Sequence, residues 1–204
     1  MSTVFASAAV SLDGFIADTD GEVGPLFDFY NNGTIETVGA DPDRIFRMSA
    51  ASAAYVREQW NRIGAVVIGR RLYDLTRGWG GRPPVGDAVF VVTHRPPDHP
   101  YHPESPFHFI TAGLSAALER AAAAADDRAI SLSGGTLTGL GLAAGLVDEL
   151  AVSLVPVILG EGIRFVGDYA GQQILLDDPD VVIGDRVTHL HYRVRKNQGF
   201  GGRS

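Results

Sequence analysis

The chain has 204 residues, of which 45% are hydrophobic and 20% charged, a globular composition long enough to bury a sizeable core. A formal net charge of -7, with lysine present only at Lys196, argues against a nucleic-acid partner, which demands clustered cations. The absence of cysteine excludes disulfides, thiolate catalysis and cysteine-bound metals.

The opening MSTVFASAAVSLDGFIAD carries a strand pattern, VFASAAV, with no basic segment ahead of it and acidic residues directly after, so it does not read as a signal peptide. No apolar run approaches the roughly 20 residues that span a bilayer. The expectation is a cytoplasmic protein without a membrane partner. Asp13, Asp18, Asp20, Glu22, Asp28, Glu36, Asp41 and Asp43 all precede the first basic residue, Arg44. Inside this acidic stretch GPLFDFYNNGTIE sets Phe27, Phe29 and Tyr30 in a long segment of loop character. Such a segment suits a lid over a site, or a solvated loop anchored by its aromatic cluster.

SAASAAYVREQWNRIG then reads as a helix, with Ala53, Val56 and Trp60 at helical spacing and Gly64 placed to stop it. The strand AVVIG follows and ends at Gly69, after which Arg70 and Arg71 stand where a helix begins. Cations oppose the macrodipole there, so an anion in front of them would explain them better than solvent exposure alone. The strand AVFVVT ends in the same manner with Thr93, His94 and Arg95. If the two strands are neighbours, these groups converge into a phosphate pocket. THRPPDHPYHPESP must be extended because of its prolines. The strand FHFIT leads to the helix LSAALERAAAAADDR, whose stripe is Leu114, Ala117, Leu118, Ala121 and Ala125.

The strand AISLSG runs into GGTLTGLGLAAGLV, a glycine-rich helix that only tertiary contact can hold, its small residues letting it sit close to the sheet. At Ser133, Gly134, Gly135 and Thr136 the residues alone allow two readings: amides holding an anion at a helix N-terminus, or a tight turn without a ligand. ELAVSLVPVIL and RVTHLHYRVR come last, with no helix between them, which predicts an antiparallel pair closing one edge of an α/β sheet. His189 and His191 alternate with apolar residues on one strand face. His99, His102 and His108 lack ligand spacing, and no metal site is predicted. No G-x-S-x-G, P-loop or strand-linked G-x-G-x-x-G is present. The domain is expected to span residues 1–196, with a flexible tail over 197–204.

In this order VSLDGFIAD, VVIGRRLYD, VVTHR, SGGTLTGLGLAAGLVDEL and LVPVILGEGIRF resemble the family that joins dihydrofolate reductase to the reductase domain of bacterial riboflavin biosynthesis, nearer the latter branch. The resemblance implies a three-layer dihydrofolate reductase-like fold, its mostly parallel sheet ending in an antiparallel strand pair, and NADPH as cofactor. It carries Gly69, Arg70 and Arg71 to the adenosine phosphate end of the cofactor. Thr93, His94 and Arg95 correspond to the 2′-phosphate site, Ser133, Gly134, Gly135 and Thr136 to the pyrophosphate turn, and Ala9, Ile16 and Ala17 to the backbone lining the nicotinamide. Where dihydrofolate reductases carry a substrate-binding carboxylate this chain has residues near Ala53, which speaks against folate.

The implied activity is hydride transfer from NADPH to a C=N or C=C bond of a small heterocyclic or aromatic molecule. The alternatives are reduction of the riboflavin-pathway pyrimidine, 5-amino-6-(5-phosphoribosylamino)uracil, and a non-enzymatic NADP-binding protein. Asp13 is the candidate proton donor, or else a carboxylate that fixes the SLDG turn through neighbouring amides. A homodimer is expected from the resemblance.

Overall fold

The computed structural model describes residues 2–196; the tail predicted over 197–204 lies outside the described residues. In chain order the strands and helices are β1 (Val4–Ser11), β2 (Phe15–Ala17), a 3-10 turn (Gly24–Tyr30), β3 (Ile35–Val38), β4 (Ile45–Met48), α1 (Ala50–Asn61), β5 (Ile63–Gly69) and α2 (Arg70–Thr76). A second 3-10 turn (Arg77–Gly81), β6 (Ala88–Val92), β7 (Phe107–Ile110), α3 (Leu114–Ala124), β8 (Ala129–Ser133) and α4 (Gly135–Ala143) follow. The chain continues through β9 (Glu149–Val155), β10 (Ile163–Arg164), β11 (Asp180–Ile183) and β12 (Thr188–Arg193).

Eight strands form one sheet in the order β11-β12-β9-β1-β8-β5-β6-β7. From β9 to β7 all neighbours are parallel, whereas β12 runs antiparallel to β9 and β11 antiparallel to β12. Parallel strands need long crossovers, and the helices supplying them cover both faces. Alternation decides which side chain meets which layer: Ala65 and Val67 of β5 pack with α3 and α4, while Val66 and Ile68 pack with Tyr73 of α2. On β1, Val4, Ala6 and Val10 join the α3/α4 layer. Phe5 and Ala9 face the layer that holds α1, where Ala53 and Val56 are buried with Leu26, Phe29 and Met48. Ser49 caps α1 by accepting the Ser52 amide at 3.3 Å, so the helix starts where the sequence leaves its acidic segment.

All seven sequence-read strands and the three longer helices form. The structure corrects the reading in four places. β3 and β4 make an antiparallel hairpin inside the supposed loop. The β9–β12 pair is antiparallel but does not close the sheet, because β11 adds an outer strand. Gly64 stops no helix: α1 ends at Asn61, and Gly64 lies within β5, where a Cβ would come within 3.0 Å of the Ala125 carbonyl oxygen. The glycines of α4 serve two surfaces. Gly141 faces Leu132 of the sheet, as expected, while Gly135 and Gly139 lie against the carbonyls of Arg164 and Val166, which any Cβ would strike. The acidic N-terminal stretch is partly neutralised by later cations, with Arg47 on Glu36 at 2.8 Å and Arg82 on Asp43 at 2.6 Å.

Candidate active site

β5 and β8 are adjacent parallel strands, yet the helices that follow them leave toward opposite faces: α2 joins the layer around Tyr73, and α4 joins the layer with α3. Where two neighbouring strands part company in this way, their C-terminal ends open a crevice. Gly69 ends β5, Ser133 ends β8, and both line a cleft of about 630 Å³.

The sheet floors this cleft with Ser7 and Ala9 of β1, Ser131 and Ser133 of β8, and Ala151 and Ser153 of β9. Tyr55, Val56, Gln59 and Trp60 of α1 wall one side, and Phe27 and Tyr30 of the first 3-10 turn close over it with Phe46 of β4. The segment suspected as a lid is thus a cleft wall, held by Leu26 and Phe29, which are 0% and 1% exposed. The rings brace one another: Tyr30 stacks on Trp60 at 6.1 Å and lies 5.1 Å from Phe46. Burial pushes the Tyr30 and Tyr55 hydroxyls up to about 12, so both stay protonated in the physiological range. Arg44, Arg71 and Glu22 are the charged residues that line the cleft. Its chemistry is therefore that of an aromatic slot with a floor of hydroxyls.

Of the residues selected from sequence, Ala9, Ile16, Ala17, Gly69, Arg71, Ser133, Gly134, Gly135 and Thr136 line this one cleft. Gly134 caps α4 with φ +109° and ψ 136°, a conformation open in practice only to glycine, and a Cβ added there would meet nothing within 4 Å. Gly134 is thus required by its backbone and looks into open space. Gly135 is required by packing on Arg164.

Arg70, Thr93, His94 and Arg95 lie outside the cleft lining, at the neighbouring ends of β5 and β6. There Arg70 and Thr93 meet at the Arg95 backbone. Arg70 donates to the carbonyl of Arg95 at 3.0 Å, and Thr93 closes a hydroxyl turn on the same carbonyl at 2.8 Å. Each guanidinium already has a carboxylate, Arg70 with Asp74 and Arg95 with Asp98, both at 2.9 Å, and the Asp74 pair offsets part of the macrodipole conflict at the start of α2. Arg71 turns the other way and donates to the Thr19 carbonyl at 2.8 Å.

Asp13 is also outside the cleft lining. Its carboxylate accepts from the Ser11 hydroxyl at 2.6 Å and from the amides of Leu159 and Gly160 at 3.1 and 2.7 Å. The Ser11 hydrogen bond, with the two amides, holds it down to about 2. A carboxylate so occupied ties the turn after β1 to the loop after β9, and it is ionised where a proton donor would have to be protonated. The turn-fixing role is the one this geometry fits.

Sequence reading missed Tyr55, Gln59, Trp60, Arg44 and Ser153 as cleft residues, together with the polar cluster beneath Ser153. There His189 of β12 is fully buried, with Nδ1 2.9 Å from Ser153 Oγ and Nε2 3.0 Å from Ser52 Oγ. Its ring stacks on Tyr55 at 4.4 Å and meets the edge of Phe29 at 5.6 Å. Burial lowers it to about 4, so it is neutral near neutral pH. His191, on the same strand face, bonds Glu149 at 2.8 Å. Among the described residues no group of three His, Cys, Asp or Glu side chains could hold a metal ion, and no helix is long and apolar enough to cross a membrane.

The family model described as RibD C-terminal domain matches residues 2–186. A search of curated proteins finds no match. Among solved structures, a Shewanella sp. PV-4 protein provisionally described as a riboflavin biosynthesis protein superposes with a TM-score of 0.71 at 22% identity, covering 95% of this chain and 99% of that one. A Thermotoga maritima diaminohydroxyphosphoribosylaminopyrimidine deaminase/5-amino-6-(5-phosphoribosylamino)uracil reductase gives 0.59 at 14%, covering 95% of this chain and 57% of its own length. An Enterococcus faecalis dihydrofolate reductase complexed with NADP(H) gives 0.55 at 14%, covering 95% and 97%.

Proposed function

The chain belongs to the RibD C-terminal domain family and is a reductase of dihydrofolate reductase-like fold, and on that premise we propose that it transfers a hydride from NADPH to a C=N or C=C bond of a small, planar, uncharged or cationic heterocycle. The observation that carries this reading is the crevice between β5 and β8. The glycine-only turn at Gly134 and the strand end at Gly69 open into the same cleft as Ala9, Ile16 and Ala17. When bound, the cofactor supplies the hydride. The chain supplies amides at the start of α4 for the pyrophosphate, and Arg70, Thr93, His94 and Arg95 at the strand ends for the 2′-phosphate. The aromatic walls at Phe27, Tyr30, Phe46 and Trp60 orient a flat substrate against the floor and exclude water from one of its faces.

A second reading within the family has its own observation. Arg44 and Arg71 both line the cleft, and two guanidinium groups could hold the ribose phosphate of a riboflavin-type pyrimidine. Loss of dihydronicotinamide absorbance with a panel of neutral heterocycles, and with the phosphoribosylamino pyrimidine and its dephosphorylated form, separates the two. Turnover of neutral heterocycles alone supports the first reading, and preference for the phosphorylated pyrimidine supports the second. NADPH binding without turnover of any compound would mean a non-enzymatic NADP-binding protein. We further propose that the protein acts in the cytoplasm as a homodimer, as the family resemblance implies.

A further inference from the structure

Leaving a buried hydrogen-bond donor without an acceptor is costly, and beneath the cleft that cost favours one placement of the protons. Ser52 is 1% exposed, and its hydroxyl has a single hydrogen-bond partner among the described residues, Nε2 of His189 at 3.0 Å. If His189 carried its proton on Nε2, that N–H would donate to Ser52 Oγ and leave the buried Ser52 hydroxyl hydrogen without an acceptor. With the proton on Nδ1 both fully buried donors, the Ser52 hydroxyl and the His189 N–H, are satisfied. Ser52 donates to Nε2, Nδ1–H donates to Ser153 Oγ at 2.9 Å, and the Ser153 hydroxyl is left to donate elsewhere. Ser153 lines the cleft, and its direct neighbours across the sheet are Ala9 on one side and His189 on the other.

We infer that His189 is held as the Nδ1–H tautomer and that Ser52 and His189 thereby fix Ser153 as a hydrogen-bond donor pointing into the cleft, toward an acceptor atom of the substrate such as a carbonyl oxygen or an imine nitrogen. Ser153 is the residue that touches substrate; His189 and Ser52 are positioning residues. The stack of Tyr55 on the imidazole and the edge of Phe29 keep the ring from turning. Neutrality matters, because an imidazolium would donate to both serines and force Ser52 to find a second acceptor. The burial that lowers His189 toward about 4 keeps it neutral. A polarising donor beside Ala9 suits the C=N or C=C reduction proposed above, and the ligand part of this inference rests on that reading. The tautomer does not.

The direct test is the nitrogen-15 spectrum of His189 in the full chain at neutral pH, with and without NADPH. The expected pattern is a protonated Nδ1 and a bare Nε2, and Ser52→Ala is expected to shift the population toward Nε2–H. A protonated Nε2 in the unmodified chain overturns the inference, whether or not NADPH binds. Ligand recognition is read with quinolin-2-one, a neutral lactam, titrated into the NADP⁺-saturated protein. Ser153→Ala should weaken it about 10-fold, and Ser52→Ala should weaken it in the same direction without touching it. His189→Gln, which preserves polarity but not the lock, should behave as Ser52→Ala does. Unchanged lactam affinity in Ser153→Ala, with NADP⁺ affinity intact, overturns the donor role. Failure of NADP⁺ to bind any form would instead count against the cofactor reading.

Discussion

Replacing Gly134 and Gly135 one at a time by alanine separates a ligand turn from a folding turn. At Gly134 the backbone has φ +109° and ψ 136°, and nothing lies within 4 Å of an added Cβ. The folding cost of Gly134→Ala is therefore backbone strain alone, about 1–3 kcal/mol. At Gly135 the backbone is ordinary, but the Cβ would come within 3.0 Å of the Arg164 carbonyl oxygen, a backbone atom that cannot swing aside. Overpacking of that kind also costs about 1–3 kcal/mol, with α4 pushed off the segment it rests on. Urea unfolding should thus show comparable losses for the two. NADPH binding is read at Gly134→Ala, because Gly135→Ala displaces the start of α4 as well. Gly134 lines the cleft, and strain at this residue re-aims the amides at the start of α4. Losing one charge-assisted hydrogen bond of about 1.5–3 kcal/mol weakens NADPH about 10-fold or more, measured by fluorescence titration under native conditions. If Gly134→Ala loses stability as stated but binds NADPH like the parent chain, the turn holds no cofactor and the assignment built on it is wrong.

The remaining expectations concern the scaffold. His189 has a folded value of about 4 against an ordinary 6.5, so the unfolded chain takes up its proton first. The stability contributed by neutral burial is complete above about pH 6.5 and is lost as pH falls toward 4, for a total of about 3 kcal/mol. Urea midpoints across that range should fall in the parent chain and flatten in His189→Gln; parallel profiles would contradict the burial argument. Asp13→Ala releases Ser11 and the amides of Leu159 and Gly160. Its thermal midpoint should drop while NADPH affinity holds, and an unchanged midpoint would remove the tether role. Gly64→Ala should destabilise by about 1–3 kcal/mol, because its Cβ meets the Ala125 carbonyl where β5 passes the end of α3. A gain in stability there would show that the crossing can relax.

The long apolar strands were legible because each is buried on both faces and reads as a continuous run, from VFASAAV to ELAVSLV. The β3/β4 hairpin was not: it is short and half-exposed, and Glu36 and Arg47 pair across it on the solvent side, so its residues look like loop. β11 hid for the same reason, as an edge strand paired only with β12 and with Val181 and Ile183 exposed. Gly64 carried a helix-stop signal for a reason found only in three dimensions. In the cleft, the glycine turn and the basic strand ends could be read locally, because anion chemistry writes itself into short segments. The substrate wall could not. Tyr55, Gln59 and Trp60 look like one side of an ordinary helix, and Ser153 looks like a polar residue in a strand, until α1 is laid over the sheet. His189 reads as a strand histidine, and only its two serine neighbours, distant in sequence, give it a role.

Side-by-side titration of the purified chain with NADPH and NADH tests the cofactor assignment most directly, repeated with Arg70→Ala and Arg95→Ala. Arg70 donates to the Arg95 backbone carbonyl, which brings the two residues together beyond the adjacent ends of β5 and β6. The expected result is NADPH bound about 10-fold or more tightly than NADH, with the preference reduced in each variant while NADH affinity stays the same. Equal affinity for the two cofactors in the parent chain, or variants that keep the full preference, would contradict it.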